Sequence, residues 1–222
     1  MLTYLRTLVV QRRQRPGDPE RDVLTRLIQG EAGGEQLSEV ELLQNCIFLL
    51  NAGHETTTNL IGNGLIALQE HPQARQFLHT ALKQTEGDAA AQEMVLSRAV
   101  DEFLRFESSN QLGNRRALQD VEIGGVPLPA GTLVTLCIGA ANRDPAQFDR
   151  PEELDIAREP NKHLAFGFGI HQCAGLSLAR LEGRIAIGRF LQRFPEFRLT
   201  QAPVRSGRAR FRGFLRAPFS VN

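Results

Sequence analysis

Phe166-Gly167-Phe168-Gly169-Ile170-His171-Gln172-Cys173-Ala174-Gly175 decides how this chain is read. Three glycines in ten residues permit a tight backbone that residues carrying a Cβ seldom adopt. Cys173 falls just before a helical pattern over about residues 176–194, in which Leu178, Leu181, Ile185 and Leu191 form a common apolar stripe. At a helix start, unpaired amides and the helix dipole stabilise a thiolate.

A thiolate so placed is a good iron ligand, and an axial cysteinate pushes electron density that favours O–O cleavage. Other chemistries fit Cys173 less well. His171 and Cys173 lack the further ligands that zinc needs at plausible spacing. No separate Cys–His pairing signature supports a nucleophile. Gly167 and Gly169 do not complete a G-x-G-x-x-G dinucleotide loop. Cys46 and Cys137 are read as inert buried thiols. Three cysteines without a secretory signal argue against a disulfide framework and for a reducing compartment, which implies a cytoplasmic location.

Upstream, Ser38 with Glu41 three residues on forms a capping box that opens a long helix to about residue 67. Inside it stands Ala52-Gly53-His54-Glu55-Thr56-Thr57-Thr58. Gly costs about 1 kcal/mol in a helix interior, and a run of threonines is a poor helix former. Such local conflict marks either a functional site served by an acid–alcohol pair or a kink packed against a neighbour, and the segment alone leaves both open.

The remaining chain is helical first and strand-rich later. Residues 1–14 read as an amphipathic helix, Pro16-Gly17-Asp18-Pro19 as a turn, residues 22–29 as a short helix, and Gly30, Gly33 and Gly34 as a loop. Helices follow Pro72 and span about residues 90–106. Residues 117–138 alternate like short strands with tight turns at Gly124-Gly125 and Pro129-Ala130-Gly131. Residues 142–161 form a loop, and the tail is strand and loop. The fold class is mainly α with a small β part.

Composition is that of a globular domain, with 23% charged and 41% hydrophobic residues. A formal net charge of +1 gives no global pull toward nucleic acid or acidic lipid. Arginines crowd both ends, with Arg12, Arg13 and Arg15 at one and Arg205, Arg208, Arg210, Arg212 and Arg216 at the other. These are read as a solvated face or a patch for an acidic protein partner, because no nucleic-acid motif accompanies them. No apolar run is long enough for a membrane span.

Four motifs together resemble the cytochrome P450 monooxygenases of the soluble bacterial type. Phe166, Gly169, Cys173 and Gly175 match the haem loop Phe-x-x-Gly-x-x-x-Cys-x-Gly; Glu102-Phe103-Leu104-Arg105 matches Glu-x-x-Arg; Ala52, Gly53, Glu55 and Thr56 match the oxygen-activation segment; and Asn142-Arg143-Asp144-Pro145 is familiar from bacterial members. All four stand in the family's order and at its usual separations.

The resemblance implies a P450-like fold, truncated at the N-terminus, that binds haem b (iron protoporphyrin IX). Cys173 would be the iron ligand and Phe166 would pack beside it, with Gly169 and Gly175 shaping the loop. Glu55 and Thr56 would relay protons to dioxygen, with Ala52 and Gly53 lining the distal side. Arg115 and His171 stand where propionates are contacted, and His163 is a further candidate. Glu102 and Arg105 would be structural.

Substrate contacts would come from Leu49, from Asn110, Gln111 and Leu112, and from Phe214 and Leu215. A small organic substrate, O2 and a ferredoxin or flavodoxin-type electron donor are the implied partners. Pro151-Glu152-Glu153-Leu154 departs from the family's common Pro-Glu-Arg-Phe, so either Arg158 substitutes in the Glu–Arg network or that network is weaker. The motifs cover nearly the whole chain but about half of a typical member. An inactive or haem-binding-only fragment, or a split or mis-started gene product, is therefore the competing expectation. Leu49, Leu50, Phe103 and Phe166 are then expected to lose packing partners.

Overall fold

A computed structural model describes residues 1–30 and 36–221. The expected loop glycines Gly33 and Gly34 lie outside the described residues. The chain divides into two compact units, Met1–Glu55 and Thr56–Asn222.

The first unit holds α1 (Leu2–Gln14), α2 (Val23–Gln29) and the start of α3 (Glu39–Glu70). Its core is Leu5 and Val9 of α1 with Leu42, Leu43 and Cys46 of α3, flanked by Leu24, Leu27 and Ile28 of α2. Asp22 caps α2 by accepting from the Leu24 amide at 3.2 Å and the Thr25 hydroxyl at 2.7 Å. Ser38 and Glu41 form the expected box: Glu41 accepts from the Ser38 amide at 2.8 Å and hydroxyl at 2.7 Å, and Ser38 Oγ accepts from the Glu41 amide at 3.3 Å. These bonds satisfy end amides that the helix cannot pair itself. Helical structure continues unbroken through Ala52–Thr58, three residues past the expected end.

The second unit packs the rest of α3 with α4 (Pro72–Gln84), α5 (Ala89–Phe106) and α7 (Leu176–Arg193). Leu60, Leu65 and Leu68 meet Val100, Phe103, Leu104 and Ile187 in one core. Glycines let these helices close in. A Cβ on Gly64 would lie 2.9 Å from the Phe103 ring, and one on Gly188 would lie 2.7 Å from Leu96. On α7 the expected stripe is corrected. Leu178, Leu181 and Ile185 are exposed, Leu191 packs against the core, and the buried residues are Gly183, Ile187 and Gly188. Side-chain size had suggested the wrong face, because close helix packing here uses the smallest residues. Phe103, expected to lose partners, is only 1% exposed, whereas Leu49 and Leu50 are exposed.

Among the described residues the strands form four two-stranded antiparallel pairs. β1 (Leu112–Arg116) pairs with β4 (Leu133–Cys137), setting Arg115 opposite Val134. β2 (Val121–Ile123) and β3 (Val126–Leu128) form the hairpin expected around Gly124-Gly125. β1 is a strand that alternation did not reveal, since Gly113, Asn114, Arg115 and Arg116 carry no apolar signal. A four-residue α6 (Ile138–Ala141) follows β4. In the tail, β5 (Arg198–Leu199) pairs with β8 (Phe219–Ser220), and β6 (Val204–Arg205) with β7 (Phe214–Arg216). Phe190, Phe197 and Phe219 stack at centroid distances of 5.0 and 5.5 Å beneath that tail. Among the described residues no helix is long and apolar enough to cross a membrane.

The loop between α6 and α7 has no sheet to hold it. It hangs instead on a buried ion cluster at the end of α5. Arg105 forks onto Glu102 with two bonds of 2.8 Å and donates to the carbonyls of Asn142, Pro151 and Glu153 at 2.8–2.9 Å. Arg158 reaches the same carboxylate at 3.2 Å and takes the third place in the network. The Asp155 amide at 2.8 Å and Asn161 Nδ2 at 3.1 Å complete the shell of Glu102. Both partners of the Glu102–Arg105 pair are fully buried, so removing one strands the other in low dielectric. Arg105→Ala is expected to destabilise the chain by about 3–5 kcal/mol in denaturant unfolding. Arg105→Lys should recover only part, because an ammonium cannot reproduce the fork.

Candidate functional site

The cysteine loop begins from two anchors. Asn142 is fully buried; its Oδ1 accepts from the Leu164 amide at 2.7 Å, while its Nδ2 donates to Ser108 Oγ at 2.9 Å. The second anchor is Asp101, next to Glu102 on α5. Its carboxylate accepts from Arg180 Nε of α7 at 2.7 Å and pairs with His163 Nε2 at 3.3 Å. The Arg180 guanidinium lies 4.9 Å from the Phe166 ring centroid, and the His163 ring packs on Phe166 at 5.9 Å. Burial pushes the Asp101 carboxyl up, but hydrogen bonds from His163 and Arg180 and the charge of Arg180 outweigh it and hold the group below its ordinary value.

Phe166 in turn fixes the thiol-bearing residue, for its carbonyl accepts the Cys173 amide at 2.8 Å. Gly167 at φ 69° and Gly169 at φ 73° make the reversal between them, in a region that side chains disfavour. The turn throws Phe168 and Ile170 into the open, at 81% and 98% exposure. Cys173 is exposed, and Gly175 two residues on is the N-cap of α7. A Cβ on Gly175 would stand 3.9 Å from the Cys173 sulfur. His171 ends a short 3-10 turn on the same loop and is exposed.

Other predicted residues lie elsewhere. Arg115 is exposed on β1, its Nη1 donating to the Asn114 carbonyl at 2.8 Å. Ala52 and Gly53 are exposed on α3, while Glu55 and Thr56 are half-buried. A Cβ on Gly53 would meet nothing within 4 Å, in contrast to the packing glycine Gly64 on the same helix.

Two expectations change. His163 is a strut: one ring nitrogen faces Asp101, the other accepts the Ala165 amide at 3.3 Å, and its side chain is 2% exposed. Both nitrogens are engaged inside the protein, so it is withdrawn from the propionate contacts. Cys137, read as buried, is exposed, whereas Cys46 is buried and its thiol is pushed up by desolvation. Sequence reasoning missed Asp101 and Arg180, since lone charges on helices read as solvated faces.

With this geometry in place, comparison with known proteins is direct. The cytochrome P450 family profile matches residues 2–216. Cytochrome P450 107B1 of Saccharopolyspora erythraea is 42% identical over 204 residues, covering 91% of this chain and 47% of that protein. The vitamin D(3) 25-hydroxylase of Pseudonocardia autotrophica is 43% identical over 197 residues, covering 88% of this chain and 46% of its own length. The solved structure of cytochrome P450 PksS of the Bacillus subtilis bacillaene polyketide synthase superposes with a TM-score of 0.87 at 36% identity, over 100% of this chain and 54% of that one. The chain belongs to the cytochrome P450 family. It spans about half the length of the relatives it matches.

Folding lowers the pKa of Asp101, so its contribution is fully present above the unfolded value of about 3.9 and is lost as pH falls through the lower folded value. Asp101→Asn should therefore destabilise at neutral pH and converge on the wild type in acid. Denaturant melts at a series of pH values check this.

Proposed function

We propose that this chain carries the thiolate loop of a haem monooxygenase. It would bind haem b through Cys173 and serve the insertion of one oxygen atom of O2 into a small organic substrate, with electrons from a ferredoxin or flavodoxin-type donor in the cytoplasm. The observation that carries the reading is the Cys173 loop: an exposed thiol ahead of a helix N-terminus, its amide closed onto Phe166.

The residues present fit the cofactor. Among the described residues no group of three His, Cys, Asp or Glu could hold a bare metal ion. A metal taken by Cys173 would bring its other ligands with it, as a porphyrin-bound iron does. Gly175, where an added Cβ would stand 3.9 Å from the Cys173 sulfur, leaves room for a flat group at the thiol. The haem iron supplies the activation of dioxygen. Cys173 would hold the metal through its sulfur, two residues ahead of the N-cap of α7. Arg115 and His171 offer cationic and hydrogen-bonding partners to propionates. Glu55, through its carboxyl, and Thr56, through Oγ1, hold and pass protons, a role that typically contributes about 10²- to 10⁴-fold in rate. Asp101, His163 and Arg180 position Phe166 and hence the thiol.

A second reading, binding without turnover, draws on the exposed Phe48, Leu49 and Leu50 of α3 and Leu178, Leu181 and Ile185 of α7. Exposed apolar side chains on a helix suit contact with a partner.

The chain purified with haem supplied, then reduced and exposed to carbon monoxide, is expected to show the red-shifted Soret band of thiolate ligation. Cys173→Ser should abolish that band, and an unchanged band in the variant would remove the assignment. Stoichiometric haem without product formation would select the binding-only reading.

A further inference from the structure

The turn between β6 and β7, residues 206–213, is fastened to the segment that leaves α5. Gln111 donates its amide to the Arg210 carbonyl and Arg212 donates to the Ser109 carbonyl, each at 2.8 Å, and Asn110 bridges Phe211. Asn63 Nδ2 holds the Glu107 and Arg212 carbonyls together at 3.1 Å each. Between turn and segment lies a concavity of about 240 Å³. Arg205, Arg208 and Arg212 line it together with Gln111, and among the described residues its lining holds no carboxylate.

Its arginines are arranged rather than merely gathered. The Glu107 carboxylate, 10% exposed, takes Arg212 Nε at 2.9 Å and two Arg205 nitrogens at 3.1 and 3.5 Å. A guanidinium has five N–H donors, so Arg205 and Arg212 keep donors beyond those Glu107 takes. Arg205 is also stacked on Phe214 at 4.4 Å. Groups held this way lose little further freedom on meeting a planar oxyanion, which the guanidinium fork matches. Phe211 and Phe214 add apolar surface beside the charges.

We propose that this concavity is an oxyanion site that takes the carboxylate of a small organic acid. That the acid is the oxygenase substrate rests on the reading above; the binding does not.

The test is calorimetric titration of the full chain with octanoate, octan-1-ol and inorganic phosphate, in the wild type, Arg208→Gln and Arg208→Lys. Octanoate is expected to bind at least about tenfold more tightly than the alcohol, to weaken as salt rises, and to lose about tenfold in Arg208→Gln. Arg208→Lys, which keeps the charge, should retain most of the affinity. Thermal unfolding of each variant separates loss of charge from loss of fold. Equal binding of acid and alcohol overturns the proposal, as does Arg208→Gln with unchanged fold and affinity, or phosphate binding more tightly than octanoate. The carbon monoxide spectrum of the same preparations keeps the two readings apart. Octanoate binding without the thiolate band leaves the anion site and removes the oxygenase, and the band without octanoate binding does the reverse.

Discussion

Glu102 is a carboxylate with no exposure to water, clasped by Arg105 and Arg158 and by two further donors. Burying three charges is costly, and the cost is offset only where every donor and acceptor finds a partner. Arg105 meets that condition with three backbone carbonyls drawn from residues 142–153, Arg158 with the carbonyls of Asp149 and Arg150. The irregular segment between α6 and α7 thus obtains from one side-chain cluster the hydrogen bonds that a strand would obtain from a sheet.

The cysteine loop depends on that arrangement at one remove. α5 presents Asp101 beside Glu102, and Asn142 supplies a carbonyl to Arg105 and a carboxamide to Leu164. Position then passes from Asp101 through Arg180 and His163 to Phe166, and from the Phe166 carbonyl to Cys173. The relay is polar where it leaves Asp101 and aromatic where it reaches the Phe166 ring. The thiol itself stays exposed.

Much of this was legible in the sequence, for definite reasons. The capping box, the glycine-rich loop and the Glu-x-x-Arg spacing are local patterns, and local patterns survive without knowledge of the fold. The buried face of α7 was not legible, because Gly183 and Gly188 carry no hydrophobic signal and act through what they lack. Nor was β1, whose polar residues pair by backbone alone. Asp101 and Arg180 are 79 residues apart, and His163 looked like a propionate contact until its two nitrogens were both accounted for. Arg158 was one of two open alternatives at the departure from Pro-Glu-Arg-Phe, and its guanidinium on Glu102 decides between them.

Anchorage by side chains instead of a ladder also governs how the molecule breathes. The Asp155 and Leu164 amides are bound by Glu102 and Asn142, groups sealed at the base of α5. Their hydrogens can exchange with solvent only when that base opens, at a free energy near that of global unfolding. The Gln172 amide bonds only to the Gly169 carbonyl in an exposed turn. It belongs to the opposite kinetic class, opening in local fluctuations that leave α5 intact. Slow and fast exchange thus meet within twenty residues, giving the cysteine loop a pliant rim on a rigid root.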